Sequence, residues 1–190
     1  LNRSNGIQNN TILSIFLDSD ENLWLGLDNG IDYVEINSPL SFIGNSDDLG
    51  SGYCCSVFQG NLYLGTNQGL FVRPFDVAHN HKPFELIQKT VGQVWTLQEF
   101  DGQLICGHQL GTFLIQGNQA TKISDIEGAW KFIQLKNNPD YLVGGHYNGL
   151  VAFKKGLNGW QFEKKIEGFE ESSRFLKQDK NGTIWISHGG

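Results

Sequence analysis

The chain has 190 residues, with 14 Lys+Arg against 20 Asp+Glu for a formal net charge of −6, and it holds 24 Gly, 13 Phe, 5 Trp, 3 Cys and no Met. A charged fraction of 18% is too low for a disordered or coiled-coil chain, and no basic stripe is present of the kind that neutralises phosphates, which argues against nucleic-acid binding through this segment. The longest apolar stretches, 12–17 and 23–27, fall far short of the roughly 18 residues a spanning helix needs.

In chain order, Ile12-Leu13-Ser14-Ile15-Phe16-Leu17 alternates as a first strand. The polar run Asp18-Ser19-Asp20-Glu21-Asn22 turns it into a second, Leu23-Trp24-Leu25-Gly26, and Asp28-Asn29-Gly30 turns that into a third at 31–36. A weaker fourth strand is expected around 40–43. The order then repeats: a strand from Tyr53 to Phe58, the turn Gln59-Gly60-Asn61, Leu62-Tyr63-Leu64-Gly65, the turn Asn67-Gln68-Gly69, a third strand at 70–75 and a fourth at 84–87. It returns with Val94-Trp95-Thr96-Leu97, the turn Asp101-Gly102, Leu104-Ile105-Cys106-Gly107 and Gly111-Thr112. A fourth copy carries a turn over 136–140, then Leu142-Val143-Gly144-Gly145 and Asn148-Gly149-Leu150. The stretch 167–177 is ambiguous and could hold a helical turn, after which Asp179-Lys180-Asn181-Gly182 and Ile184-Trp185-Ile186-Ser187 open a fifth copy.

The reference positions 26, 65, 107, 145 and 187 are 39, 42, 38 and 42 residues apart, the length of one four-stranded propeller blade. The fold class expected is therefore all-β, an incomplete β-propeller of four to five blades, with units at 12–52, 53–92, 93–129, 130–173 and a truncated 174–190. The glycine repeated at 26, 65, 107 and 145 marks a bend or a close backbone approach. Leu at 23, 62, 104 and 142 and Ile at 184, together with Leu25, Leu64 and Ile186, share one face by period two and should fill the space between blades. Cys106 replaces one of those residues and reads as a core thiol, whereas Cys54 and Cys55 point to opposite faces of one strand. Three cysteines without ligand spacing give neither a disulfide framework nor a metal site, and no cofactor is expected. The chain starts Leu1-Asn2-Arg3 and stops in mid-pattern, so a piece of a longer protein is expected.

The tract Asp-x-x-x-Asn-Leu-Trp-Leu-Gly-Leu-Asp-Asn-Gly-Ile at 18–31 resembles the two-component regulator propeller repeat, and 179–189 resembles the same motif in a later blade. The resemblance covers essentially the whole chain, with Ile105 and Val143 replacing the motif's aromatic in the third and fourth copies. It implies a bacterial sensory ectodomain, commonly followed by an immunoglobulin-like domain, a membrane span and a histidine kinase. It further implies detection of oligosaccharides, control of polysaccharide-use genes and a periplasmic location; relatives that carry a helix-turn-helix instead make a cytoplasmic location the alternative. The membrane is then met only through parent segments, and the partners expected are an oligosaccharide and the remaining blades or a second subunit.

Propellers bind ligands where strand-connecting loops converge. The turns after each second strand contribute Asp28, Asn29, Asn67, Gln68, His108, Gln109, His146, Tyr147 and Asn148, and the starts of the inner strands contribute Tyr53, Trp95, Trp130 and Arg174. Aromatic rings among amides suit sugars; the alternative is that Trp95 and Trp130 pack between blades and that the Asn-Gly positions only form turns. His108, His146 and His188 share one register, but equivalent positions on adjacent blades fan apart, so a metal site is not expected and the hydrogen bond made elsewhere by Thr66 is the expected task. Asp18-Ser19-Asp20-Glu21-Asn22 has Leu23 and Asn29 where a calcium loop needs Gly and Glu, so it reads as a hairpin turn. No catalytic motif is present and the segment reads as non-enzymatic. A scaffold propeller mediating dimerisation and a polysaccharide-cleaving propeller enzyme are the alternative functions.

Overall fold

The computed structural model describes residues 2–3, 6–38, 49–75 and 82–188. The chain divides into two compact units, Leu1–Asp48 and Leu49–Gly190. The first holds one sheet in the order β1-β2-β3, made of β1 (Ile12–Leu17), β2 (Leu23–Leu27) and β3 (Ile31–Val34). Ile7 closes over Leu25 and Leu27 as its small core. The fourth strand expected at 40–43 lies outside the described residues.

The second unit contains β4 (Gly52–Phe58), β5 (Asn61–Thr66), β6 (Leu70–Pro74) and β7 (Glu85–Leu86), then β8 (Val94–Phe100), β9 (Gln103–His108), β10 (Gly111–Gln116) and β11 (Gln119–Ser124). These are followed by β12 (Lys131–Leu135), β13 (Asn138–His146), β14 (Gly149–Gly156) and β15 (Gly159–Ile166), and by β16 (Phe175–Gln178) with β17 (Ile184–Ser187). Each group is one antiparallel meander, four-stranded three times and two-stranded at the end. The fold is therefore all-β with one sheet per sequence repeat.

The sheets of this unit stack in chain order. Tyr63 of β5 packs with Leu104 and Cys106 of β9 in one core cluster. On the other face of β9, Ile105 packs with Leu142 of β13, and on the other face of β13, Val143 packs with Leu176, Ile184 and Ile186. Both faces of the central second strands are thus buried, so the leucine positions are only half of the core and the intervening Tyr63, Ile105 and Val143 are the other half. Side-chain amides staple adjacent inner strands: Gln98 accepts from Phe132 N–H at 2.8 Å and donates to Phe132 C=O at 3.1 Å, and Gln178 accepts from Lys136 N–H at 2.8 Å.

The repeated glycine is where the next sheet arrives. A Cβ on Gly107 would overlap the Ala129 carbonyl, one on Gly145 would overlap that of Ser173, and one on Gly65 would press on Val94. Cys106 is buried, Cys54 half-buried and Cys55 exposed, all as free thiols, and burial pushes the Cys54 thiol up to about 12.

Three local expectations are corrected. The outer strand expected at 84–87 shrinks to the two residues of β7, next to Pro83, which has no N–H to extend the ladder. The turn expected over 136–140 contracts to 136–137, with Pro139 accommodated near the start of β13. No helical turn forms over 167–177: Gly168 has φ +86°, and Phe175 to Gln178 pair with β17 instead.

Candidate functional site

Tyr53, Trp95, Trp130 and Arg174 occupy the same register at or just before the first residues of β4, β8, β12 and β16. Because the inner strands of stacked sheets lie side by side, one residue per sheet is delivered to a common line. The Tyr53 and Trp95 rings stack with centroids 5.2 Å apart, and Trp95 and Trp130 lie 4.4 Å apart at an angle of 39°. The Arg174 guanidinium carbon sits 4.5 Å from the centroid of Trp130. The result is a continuous ladder of three aromatic rings ending in a cation.

Tyr147, from the turn between β13 and β14, leans across it with its ring 5.1 Å from that of Trp130 and 6.4 Å from that of Trp95. The two indole N–H groups are both used: Trp95 Nε1 donates to Tyr147 Oη at 3.0 Å and Trp130 Nε1 to Ser172 Oγ at 3.2 Å. Tyr53 and Tyr147 are exposed, Trp95 and Trp130 half-buried. The indoles neither project freely nor disappear between the sheets.

Glycines make room for this arrangement. Gly50, Gly92 and Gly128, in the loops leading to the inner strands, have φ of +73°, +121° and +74°. A Cβ on Gly128 would run into the Tyr147 ring, one on Gly92 would crowd Gln109, and one on Gly50 would meet Asn67 and Gln68. The incoming loops also bond to the preceding sheet's turn, Gly92 N–H to Gln68 C=O at 3.0 Å and Gly128 N–H to Gln109 C=O at 2.9 Å. Asn67 Oδ1 accepts from Ser51 N–H at 2.7 Å. The two sets of sequence-nominated residues within 49–190 therefore meet at one end of the strands, where Asn148 is also exposed in the turn after β13. Asp28 and Asn29 belong to the first unit, exposed in the turn between β2 and β3.

The three histidines of common register do different things. His108 Nδ1 accepts from Leu110 N–H at 2.9 Å, which leaves Nε2–H to donate to Thr90 C=O at 3.2 Å. Thr66 Oγ1 does the corresponding work in its own turn, accepting from Gln68 N–H at 3.0 Å and Gly69 N–H at 3.3 Å. His146 instead turns Nδ1 to the carbonyls of Ile126 and Glu127, at 3.1 and 3.3 Å, and so ties down the loop that carries Gly128. Its Nε2 is buried without a partner, and burial lowers its pKa to about 4. The His188 ring stands edge-on to Phe169 at 6.2 Å. Among the described residues no three His, Cys, Asp or Glu side chains gather as a metal site.

The two acidic turns are braces. Asp18 Oδ1 accepts from the N–H of Asp20 and Asn22, at 3.0 and 2.9 Å, and Oδ2 from Trp24 Nε1 at 3.0 Å. Asp179 repeats this with Asn181, Thr183 and Trp185, at 2.8, 3.0 and 3.0 Å. Sequence reading missed Ser172 and the three glycines, because a serine beside two glutamates and glycines in loops carry no ligand signature; the one available clue was that Gly50, Gly92 and Gly128 precede their aromatic by two or three residues. The ladder is open rather than enclosed. A groove of about 470 Å³ lies at the opposite ends of the strands, against Phe58, Gln59, Gln103, Gln116, Leu157 and Asn158, but it gathers no charged group. The chemistry favours the ladder.

A stack of repeated four-stranded meanders with a residue line at the inner-strand starts defines a propeller-repeat protein. Residues 6–29 match the family described as two component regulator propeller, so the repeat resemblance holds at the first copy. No curated protein matches the chain. Among solved structures, the chain is similar to the extracellular domain of BT3049 from B. thetaiotaomicron, described as a hybrid two component system: TM-score 0.59, 20% identity, 96% of this chain and 26% of that one. It is also similar to the extracellular domain of BT4673 from the same organism, described as a one component system and, in a second structure, as a hybrid two component system, with TM-score 0.55, 19% identity, 97% of this chain and 26% of that one. These likenesses establish the fold. The chain spans about a quarter of the length of those domains.

Proposed function

We propose that this chain is a non-catalytic segment of a sensory propeller in a bacterial two-component receptor, located outside the inner membrane in the periplasm, and that its ladder face contacts an oligosaccharide whose binding regulates genes for polysaccharide use. The observation that carries the reading is the line Tyr53, Trp95, Trp130 and Arg174, one residue from each of four successive repeats, overlaid by Tyr147. None of these residues belongs to the core clusters between the sheets. The similarity to extracellular domains of signalling systems supports the receptor setting. Signalling then requires that the ligand hold one arrangement of the receptor better than another.

The test is calorimetry of the full-length protein against a panel of neutral and acidic oligosaccharides. Binding that Trp95→Ala weakens at least tenfold is the expected outcome; binding untouched by Trp95→Ala, or silence across the panel, contradicts it. A scaffold reading draws on Phe175 and Trp185, exposed to 63% and 65% on the last sheet. Concentration-dependent dimerisation without saccharide binding, seen by sedimentation, would favour it.

A further inference from the structure

We infer that the Arg174 end of the ladder is an oxyanion site, so that the oligosaccharide of the proposed function is an acidic one, carrying a carboxylate or sulfate group; the saccharide part of this inference rests on that proposal, the oxyanion part does not.

A hydroxyl oxygen that already accepts a hydrogen bond still has its own proton to give. Tyr147 Oη accepts from Trp95 Nε1 and Ser172 Oγ accepts from Trp130 Nε1, and neither hydroxyl has an acceptor of its own among the described residues. Both are left as donors. The Arg174 guanidinium, over the Trp130 ring, adds further N–H donors and a fixed positive charge.

Arg174 is exposed and takes part in none of the ion pairs among the described residues, which join Lys122 to Asp125, Lys155 to Asp101 and Lys165 to Glu170. Ser172 Oγ and the Arg174 guanidinium both contact the Trp130 indole, and the Tyr147 ring packs edge-on against it. The equivalent position in the three preceding repeats is aromatic, and the replacement by arginine puts a charge at one end of the ladder only. A stacked guanidinium that offers its N–H edge matches a carboxylate or sulfate in a way an ammonium does not.

A neutral sugar leaves the fixed charge of Arg174 unused, whereas an oxyanion pairs with it and accepts from the neighbouring hydroxyl donors. A chain of net charge −6 does not draw anions by its overall field, so the selection is local.

The experiment titrates the full-length protein with uronic-acid oligosaccharides, with the same compounds after carboxyl reduction, with sulfated disaccharides, and with inorganic sulfate alone. The expected result is at least tenfold tighter binding of an acidic compound than of its neutral counterpart, a difference abolished by Arg174→Gln, reduced by Arg174→Lys, and weakened by rising salt. Ser172→Ala should lower acidic binding severalfold more than it lowers neutral binding. The uronates against the sulfated compounds decide which oxyanion is used. Equal binding of reduced and acidic compounds, with Arg174→Gln silent, overturns the oxyanion site and leaves the saccharide reading standing. Binding of sulfate that Arg174→Gln abolishes, without binding of any saccharide, upholds the oxyanion site and overturns the saccharide reading. No binding of any probe overturns both.

Discussion

Trp95 and Tyr147 hold each other by one hydrogen bond at 3.0 Å and by ring contact, so the bond can be removed while the contact stays. Tyr147→Phe should cost only about 1 kcal/mol of stability, the usual net worth of one such bond, read from denaturant unfolding. Ligand affinity should nonetheless fall severalfold, because Trp95 loses the partner that fixes its ring. His146 makes a separate prediction. Its folded pKa of about 4 lies below the ordinary 6.5, so the folded state binds fewer protons than the unfolded chain between those values. Its contribution to stability is complete above pH 6.5 and is lost as pH falls through that window toward 4, by an amount on the order of 3 kcal/mol. His146→Gln should flatten the acid limb of a stability-versus-pH curve, and an unchanged limb would show that this imidazole is not the group responsible.

At the scale of elements, the close approach of one sheet to the next is set by single glycines. Gly107→Ala should destabilise by roughly 1 to 3 kcal/mol, because its Cβ meets the Ala129 backbone, which cannot move without the sheet. Gly52→Ala faces open space and is the control, with a change within about 0.5 kcal/mol. The Asp179 turn is expected to behave differently. Its carboxylate is held below the usual range by the Trp185 indole N–H and by backbone N–H groups, so this brace is complete above the ordinary carboxylate pKa and weakens as pH falls through the lowered one. Asp179→Ala should speed amide exchange at Asn181 and Thr183, its two backbone partners. These elements were legible in the sequence because the alternation at 12–17 and 53–58 and the Gly-containing turns are local signals. The extent of β7 and the fate of 167–177 were not, since strand length there depends on which neighbour supplies the ladder. The convergence of Tyr53, Trp95, Trp130 and Arg174 was legible only as a shared register; that the indole N–H groups would be spent on Tyr147 and Ser172 depends on loop geometry that no repeat alignment encodes.

At the scale of the whole molecule, the repeat fixes how the cores are distributed. Each second strand in the middle of 49–190 buries both faces against its neighbours, so stability is spread over nearest-neighbour interfaces rather than gathered in one core. Such a stack leaves the starts of its inner strands free to vary, and here they hold three rings and an arginine. Amide hydrogen exchange of the full-length protein, with and without a bound oligosaccharide, reports directly on whether the ladder is the binding face. Added protection is expected at 50–53, 92–95, 126–130 and 172–174, the loops and strand starts that carry the ladder. Protection confined to the opposite turns, at 59–60, 101–102 and 157–158, would contradict it.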